Sequence, residues 1–455
     1  MKNLTLEAIA QACGGTYIGD AAYSSLCVTA ITTDSRKVEK GCLFVPIVGE
    51  RVDGHTFIPE VMEKGAYAAL SERDLEKVAY PYIKVESSLQ AIKDIARYYL
   101  EQLKIPVVGI TGSVGKTSTK EMVAAVLSQK YDVLKTQGNF NNELGLPLTI
   151  FNLRDHHEIA VLEMGISAFG EMHRLAEIAK PDTCVITNIG TCHLEFLIDR
   201  DGVLRAKTEI FDFLREDGHI VLNYDDDKLC TVKEVKGVAP LFFGIHEKTF
   251  IYADEIESKG LKGIACRIHV GEESFSALIP IPGRHMVYNA LAGTAVGYIY
   301  GLTLDEIRKG IESLQPVSGR FHIIEANGLT IIDDCYNANP ISMKASLEVL
   351  QDGLGRRVAI LGDMGELGEQ EAELHAQVGT FAAQKDIDVL VCVGTLCKHM
   401  AEAAGKENAD LQVIHVDSRE ALLEQLPLLV QKGDTVLVKA SHFMQFDKIV
   451  EVLSK

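Results

Sequence analysis

Thr111, Gly112, Ser113, Val114, Gly115, Lys116, Thr117 and Ser118 follow the apolar run Ile105 to Ile110 and precede a helical pattern from about Thr119 to Gln129. A strand, a glycine-containing loop, a lysine and a helix N-terminus in that order make an anion cradle. Backbone N–H groups point inward, the helix dipole adds positive potential, and Lys116 reaches the outer phosphates of a nucleotide. The Thr117 hydroxyl is placed to hold Mg²⁺. The general pattern has glycine five residues before Gly115, where this chain has Ile110, so the loop is a variant of its type. An ordinary glycine turn is the plain alternative.

Two further positions fall where a nucleotide site needs metal ligands. Glu163 closes the apolar run Ile159, Ala160, Val161, Leu162, so its carboxylate emerges at the C-terminal edge of a strand, where open α/β sheets bind ligands. A carboxylate there is a natural partner for Mg²⁺; the alternative is a solvated glutamate at a strand end. Asn188, Ile189, Gly190, Thr191, Cys192 and His193 follow another apolar run, which brings His193 to the same edge as a candidate metal ligand, against the common case of a structural histidine. No Asn-Lys-x-Asp guanine reader is present, so a GTPase switch loses ground.

These residues need a sheet to carry them, and short β-branched runs do alternate with helical patterns along most of the chain. That is the signature of βαβ units around mostly parallel sheets. A first segment, residues 1–84, has a helix from Leu6 to Ala12 and strands near Ile31, Cys42 to Val48 and Tyr67 to Leu70. A helix from Leu89 to Leu103 opens the second, residues 85–316, with strands at Ile105 to Ile110, Ile159 to Leu162, Thr183 to Thr187 and His219 to Leu222. Helices at Val287 to Tyr300 and Thr303 to Ser313 close it. Gln315, Pro316, Val317, Ser318 and Gly319 read as a linker or hinge. The third segment, residues 317–455, repeats strand and helix with runs at Arg357 to Leu361, Val389 to Val393 and Thr435 to Val438, a second doubly wound sheet.

Composition agrees with an α/β enzyme of several domains. The chain has 455 residues, 47% hydrophobic and 24% charged, which indicates neither disorder nor a membrane protein. No apolar run reaches the roughly 18 residues of a span, and the N-terminus meets Glu7 where a signal peptide needs apolar residues, so a cytosolic protein is expected. A net charge of -19 argues against a nucleic-acid groove and requires anionic ligands to be met by local cations. Ten cysteines without a Cys-x-x-Cys pair imply reduced thiols, not a zinc ribbon or a disulfide framework.

Together these residues resemble the Mur ligases, ATP-dependent amide-forming enzymes of peptidoglycan precursor synthesis. Thr111 to Ser118 is similar to that family's phosphate loop, and Asn139, Asn141, Asn142, Gly145 and Pro147 to its Asn-rich segment. Glu163 with Met164 and Gly165, and Asn188 to Gly190 with His193 and Glu195, resemble its metal-binding strand ends. Ala206, Lys207, Thr208 and Glu209 resemble the segment whose lysine is carbamoylated, so the resemblance implies a carbamate on Lys207 that draws in Mg²⁺. Without it, Lys207 reads as a solvated helix charge. Gly283, His285, Tyr288, Asn289, Ala290 and Leu291 resemble the adenine-side motif, with Met286 where many members have Asn. Gly319 with Arg320, and Asp334, resemble residues that reach the phosphates and ribose of ATP.

The resemblance implies three domains: a small α/β uridine-nucleotide domain, a central P-loop ATPase-type parallel sheet and a C-terminal Rossmann-like doubly wound domain. Asp333 to Pro340, with Tyr336, Asn337 and Asn339, and Gly362 to Gly368 are similar to the family branch that adds D-alanyl-D-alanine to UDP-N-acetylmuramoyl tripeptide. Thr33, Asp34, Ser35 and Arg36 resemble the uridine-nucleotide domain of this branch and equally of the branch that adds the third residue. Lys439, Ala440, Ser441, His442 departs from the commoner Lys-Gly-Ser-Arg. Family relatives often act as monomers, and a monomer is the expectation here. Three other readings stand beside this one: a sister ligase adding a single amino acid, a folylpolyglutamate-type ligase, and a non-catalytic nucleotide-binding regulatory homologue.

Overall fold

The computed structural model describes residues 1–76 and 78–455. Its strands form three sheets. The first has strand order Thr16–Ile18, Tyr82–Lys84, Ala68–Ser71, Leu43–Phe44, Ile31–Thr32, parallel except for its first pair. The central sheet has nine strands. Val107–Thr111 lies between Ile159–Glu163 and Thr183–Ile186, all parallel, so the chain leaves the middle strand where the winding reverses. Ligands of open α/β sheets bind at such a point. In the third sheet Leu329–Asp333, Thr435–Lys439 and Arg357–Gly362 are parallel neighbours. Their following loops, which carry Asp334 to Asn339, Ala440 to Ser441 and Asp363 to Gly368, therefore emerge side by side at one sheet edge.

Buried strands with both faces covered read as unbroken apolar runs. Val107–Thr111 sends Val108 and Ile110 into a core shared with the helices Lys116–Leu127 and His285–Ile299, and Val107 into the opposite core. That opposite core is continuous with the first sheet through the helix Ser88–Leu103, capped by the Ser87 side chain, whose Ala91, Ile92, Ile95, Ala96, Tyr99 and Leu100 form one buried stripe. The same helical spacing that marks this stripe in the sequence thus fixes the first sheet against the second.

Several elements differ from expectation. The phosphate-loop helix begins at Lys116 rather than near Thr119, because Gly115 adopts φ 81° and serves as its N-cap, which puts Lys116 and Thr117 in the first turn. Glu163 belongs to its strand rather than following it. Strands at Val133–Lys135 and Leu241–Gly244, and an antiparallel extension of Ile251–Ser258, Ile264–Val270 and Glu273–Ile279, were not anticipated. In Ile264–Val270, buried Ile264, Cys266, Ile268 and Val270 alternate with Ala265, Arg267 and His269, the pattern of a half-buried strand. Among the described residues no helix is long and apolar enough to cross a membrane, and all ten cysteines are free.

Candidate active site

The loop Gly112 to Gly115 is bolted to the end of the neighbouring strand. Ser113 N–H donates to Asn188 O (3.0 Å), Val114 N–H to Asn188 Oδ1 (2.9 Å) and Gly190 N–H to Ser113 Oγ (2.8 Å). The Thr187 hydroxyl and Asn188 amide both donate to Val114 O. Gly112 holds φ 151°, and a Cβ there would lie 1.9 Å from Thr187 Oγ1, so only glycine fits. Lys116 Nζ folds back on Gly112 O at 2.8 Å, which shapes the loop for a phosphate chain. Thr187 and Asn188 act here as the loop's mould, a role that strand-end position alone does not reveal.

A cavity opens on each side of this loop. The first, about 550 Å³, is lined by Gly115, Asn223, His285, Tyr288, Asn289, Phe321 and Ile341. Asn289 is buried and accepts from Thr119 Oγ1 (2.8 Å), while its amide donates to Met286 Sδ (3.1 Å). Met286 therefore fills the core and orients Asn289. The second cavity, about 620 Å³, gathers Lys116, Asn139, Asn141, Asn142, Glu163, His193, Arg320, Tyr336 and Asn337. The central and third sheets both contribute to it.

Charge in the second cavity is arranged around Glu163. One carboxylate oxygen accepts from Asn141 Nδ2 (2.8 Å); the other is buried without a hydrogen-bond partner and lies 3.8 Å from Lys120 Nζ. Lys120, one helical turn beyond the half-buried Lys116 and itself buried, holds Thr136 O at 2.7 Å and was not singled out in the sequence. Lys207, on the helix Arg200–Thr208, is fully buried and its Nζ has no partner. Burial pulls its pKa down to about 8; the Cys192 thiol acts against this and the Lys116 cation adds to it. The buried Lys207 amine and the buried Glu163 oxygen are each without a hydrogen-bond partner, which is costly unless a further group meets them. Mg²⁺ prefers oxygen donors, so Glu163 fits it as it stands and Lys207 fits once converted to an acid, while His193, lining the same cavity as Glu163, offers a single nitrogen.

Arg320 crosses from the third segment. Its guanidinium covers the Tyr336 ring at 4.1 Å and reaches Thr117 Oγ1 at 3.4 Å. His193 adopts φ 54°, and its Nδ1 lies 2.6 Å from Glu366 Oε2, although the ring N–H direction misses the oxygen. Other expected residues lie elsewhere. Asp334 is buried against Lys439 Nζ (2.5 Å) and Ser346 Oγ (2.7 Å) and lines neither cavity. Asn339 caps the helix Pro340–Leu350 in a reciprocal box with Ser342. Thr117 and Ser118 border a small crevice beside Met286 and Phe321. Ser35 and Arg36 sit on the first sheet's loop, Arg36 paired with Asp34, whose carboxyl is held near 2 by that guanidinium and by the Arg36 N–H.

A phosphate loop at the switch point of a parallel sheet, beside a cavity lined from that sheet and from the third, is the arrangement of a nucleotide-dependent enzyme. Known proteins give the same architecture. The Mur ligase family catalytic domain matches residues 28–100, the Mur ligase middle domain residues 110–297, and the Mur ligase glutamate ligase domain residues 319–442. A protein of Bacillus subtilis (strain 168) named UDP-N-acetylmuramoyl-tripeptide–D-alanyl-D-alanine ligase is 38% identical, over 100% of this chain and 99% of its own. The crystal structure of MurF from Acinetobacter baumannii superposes with TM-score 0.89 at 32% identity, covering 99% and 98% of the two chains. MurF ligase from Thermotoga maritima in complex with ADP gives TM-score 0.81 at 33% identity, covering 93% and 97%. The chain belongs to the Mur ligase family.

Proposed function

We propose that this enzyme is an ATP-dependent ligase that joins D-alanyl-D-alanine to the terminal carboxylate of UDP-N-acetylmuramoyl tripeptide. The observation that carries this reading is the second cavity, where the phosphate-loop lysine meets side chains of the central and third sheets. Its chemistry suits a carboxylate that must be activated before an amine can attack. A carboxylate repels the amine lone pair and has no good leaving group. Transfer of the γ-phosphoryl of ATP to that carboxylate gives an acyl phosphate and ADP; the dipeptide amine then adds to the carbonyl, and the tetrahedral intermediate expels phosphate.

Lys116 and Arg320 screen the repulsion between the two anionic reactants and stabilise charge on the phosphoryl in transfer. Asn289 and the first cavity take the nucleoside end of ATP. Asn139, Asn141 and Asn142 face Tyr336 and Asn337 across the second cavity, where tripeptide and dipeptide meet. Asn339 supports that loop through its helix cap, and Asp334 supports it through Lys439, whose Nζ also holds Asn337 O at 3.0 Å. Ser35 and Arg36 remain as ligands of the uridine nucleotide on the first sheet.

Thr117, Glu163, His193 and carbamoylated Lys207 would hold Mg²⁺, which supplies positive charge for the phosphates. A neutral amine is the form that adds CO₂, releasing a proton and leaving a carboxylate-like group, and burial gives Lys207 a larger neutral fraction at neutral pH than a solvated lysine has. The absence of charge compensation for Lys207 Nζ supports this modification. The acyl phosphate step is tested with tripeptide carrying ¹⁸O in its terminal carboxylate. One labelled oxygen in the released phosphate is the expected result; unlabelled phosphate would refute the step.

A further inference from the structure

The loop Gly362 to Gly368 is held rigidly at the edge of the third sheet. Met364 N–H donates to His375 Nε2 (2.9 Å), Gly365 N–H to Ser441 Oγ (2.9 Å), and Met364 and Leu367 are buried. This anchoring pushes one side chain outward across the interface, that of Glu366, from a backbone at φ 59°. Its carboxylate faces the His193 imidazole, itself on a backbone at φ 54°. Two non-glycine residues in the left-handed region, meeting from different sheets, are an arrangement that the surrounding structure must over-determine. Packing of Gly368 against the Glu195 backbone fixes the approach: a Cβ at Gly368 would lie 3.7 Å from Glu195 N.

His193 Nδ1 is buried and has no aligned hydrogen-bond partner, and the group 2.6 Å from it is Glu366 Oε2. A metal-binding imidazole commonly donates its other ring N–H to a carboxylate, which fixes the ring's orientation and makes it a better ligand. We infer that Glu366 is a positioning residue: it orients the His193 ring through Nδ1 so that Nε2 faces the Mg²⁺ site, and it does so from the third domain. This rests on the reading of His193 as a metal ligand. It also makes metal-site assembly depend on domain docking, since the orienting carboxylate arrives only with the third sheet.

The test uses the full-length protein with Mn²⁺ and a non-hydrolysable ATP analogue, without turnover. Free Mn²⁺ is followed by its electron paramagnetic resonance signal, and the ¹⁴N modulation of bound Mn²⁺ reports coordinated imidazole. Glu366→Ala is expected to weaken Mn²⁺ binding about ten- to a hundred-fold and to reduce the ¹⁴N modulation, which a purely structural role would leave intact. Glu366→Gln, whose amide oxygen can accept from Nδ1 once the ring turns toward it, should stay close to the parent in both. Unchanged affinity and modulation in Glu366→Ala, alongside loss of both in His193→Ala, would overturn the inference while sparing the metal site. Unchanged behaviour in His193→Ala would overturn the reading of His193 and the inference with it.

Discussion

Replacing Lys207 by methionine should make the protein more stable and much less active. Methionine has similar length and no charge, so it keeps the packing of the helix Arg200–Thr208 while removing an amine that is fully buried and unpaired. Burial pulls the Lys207 amine down to about 8 in the fold, against the ordinary lysine value of 10.5. Charging this amine in the fold therefore opposes folding by roughly 3 kcal/mol. Because the folded value lies below the unfolded one, the penalty is fully present below pH 8 and is relieved as the pH rises from about 8 to 10.5. At pH 7 Lys207→Met should regain up to roughly 3 kcal/mol, about 6 to 12 °C for a domain of the central sheet's size. The assay is calorimetric melting in CO₂-free buffer without Mg²⁺, repeated across pH and with bicarbonate. The parent alone should gain stability between pH 8 and 10.5, and bicarbonate should raise only the parent's melting temperature. Turnover should fall by at least about a hundred-fold, the scale of losing one electrostatic stabiliser of a transition state. A Lys207→Met protein that melts no higher than the parent at pH 7 would refute the burial argument, and unchanged turnover would refute the role.

Gly112→Ala should abolish ADP binding, measured by calorimetric titration, because its Cβ would overlap Thr187 Oγ1 at 1.9 Å; retained affinity would show that the loop can relax. Asp334→Asn should lower stability by about 3 to 5 kcal/mol by leaving the buried Lys439 ammonium uncompensated, with part of the loss restored in the Asp334→Asn, Lys439→Met double variant. Thermal unfolding of the single and double variants checks this. Asn289→Ala removes the acceptor of the Thr119 hydroxyl, so ATP affinity should weaken about five- to a hundred-fold with a smaller change in turnover. Parallel binding and rate measurements separate the two effects.

What the sequence made legible follows from how local each signal is. The helix Leu6–Ala12 and the strand Val389–Val393 have the bounds that their spacing predicts, because caps and apolar periodicity act over a few residues. The phosphate loop was equally plain, being a contiguous run. The contacts of Asp334 depend on Lys439, 105 residues further on, which takes its carboxylate into a buried pair. Asn339 looked like a substrate ligand, yet its side chain also suits an N-cap, and the structure uses it so. Lys120 is a helix lysine like many others until Thr136 and Glu163 fold around it. The antiparallel strands carried an alternating pattern, but polar outward residues such as Arg267 and His269 broke the apolar runs expected of a parallel sheet.

Phosphate release with different acceptors tests most directly which amine the enzyme joins to the tripeptide. The purified protein is supplied with ATP, Mg²⁺ and UDP-N-acetylmuramoyl tripeptide, and D-alanyl-D-alanine is compared with single amino acids. Release that requires the dipeptide, with a product heavier by the dipeptide less water, is the predicted result. Equal release with a single amino acid, or none with the dipeptide, would contradict it.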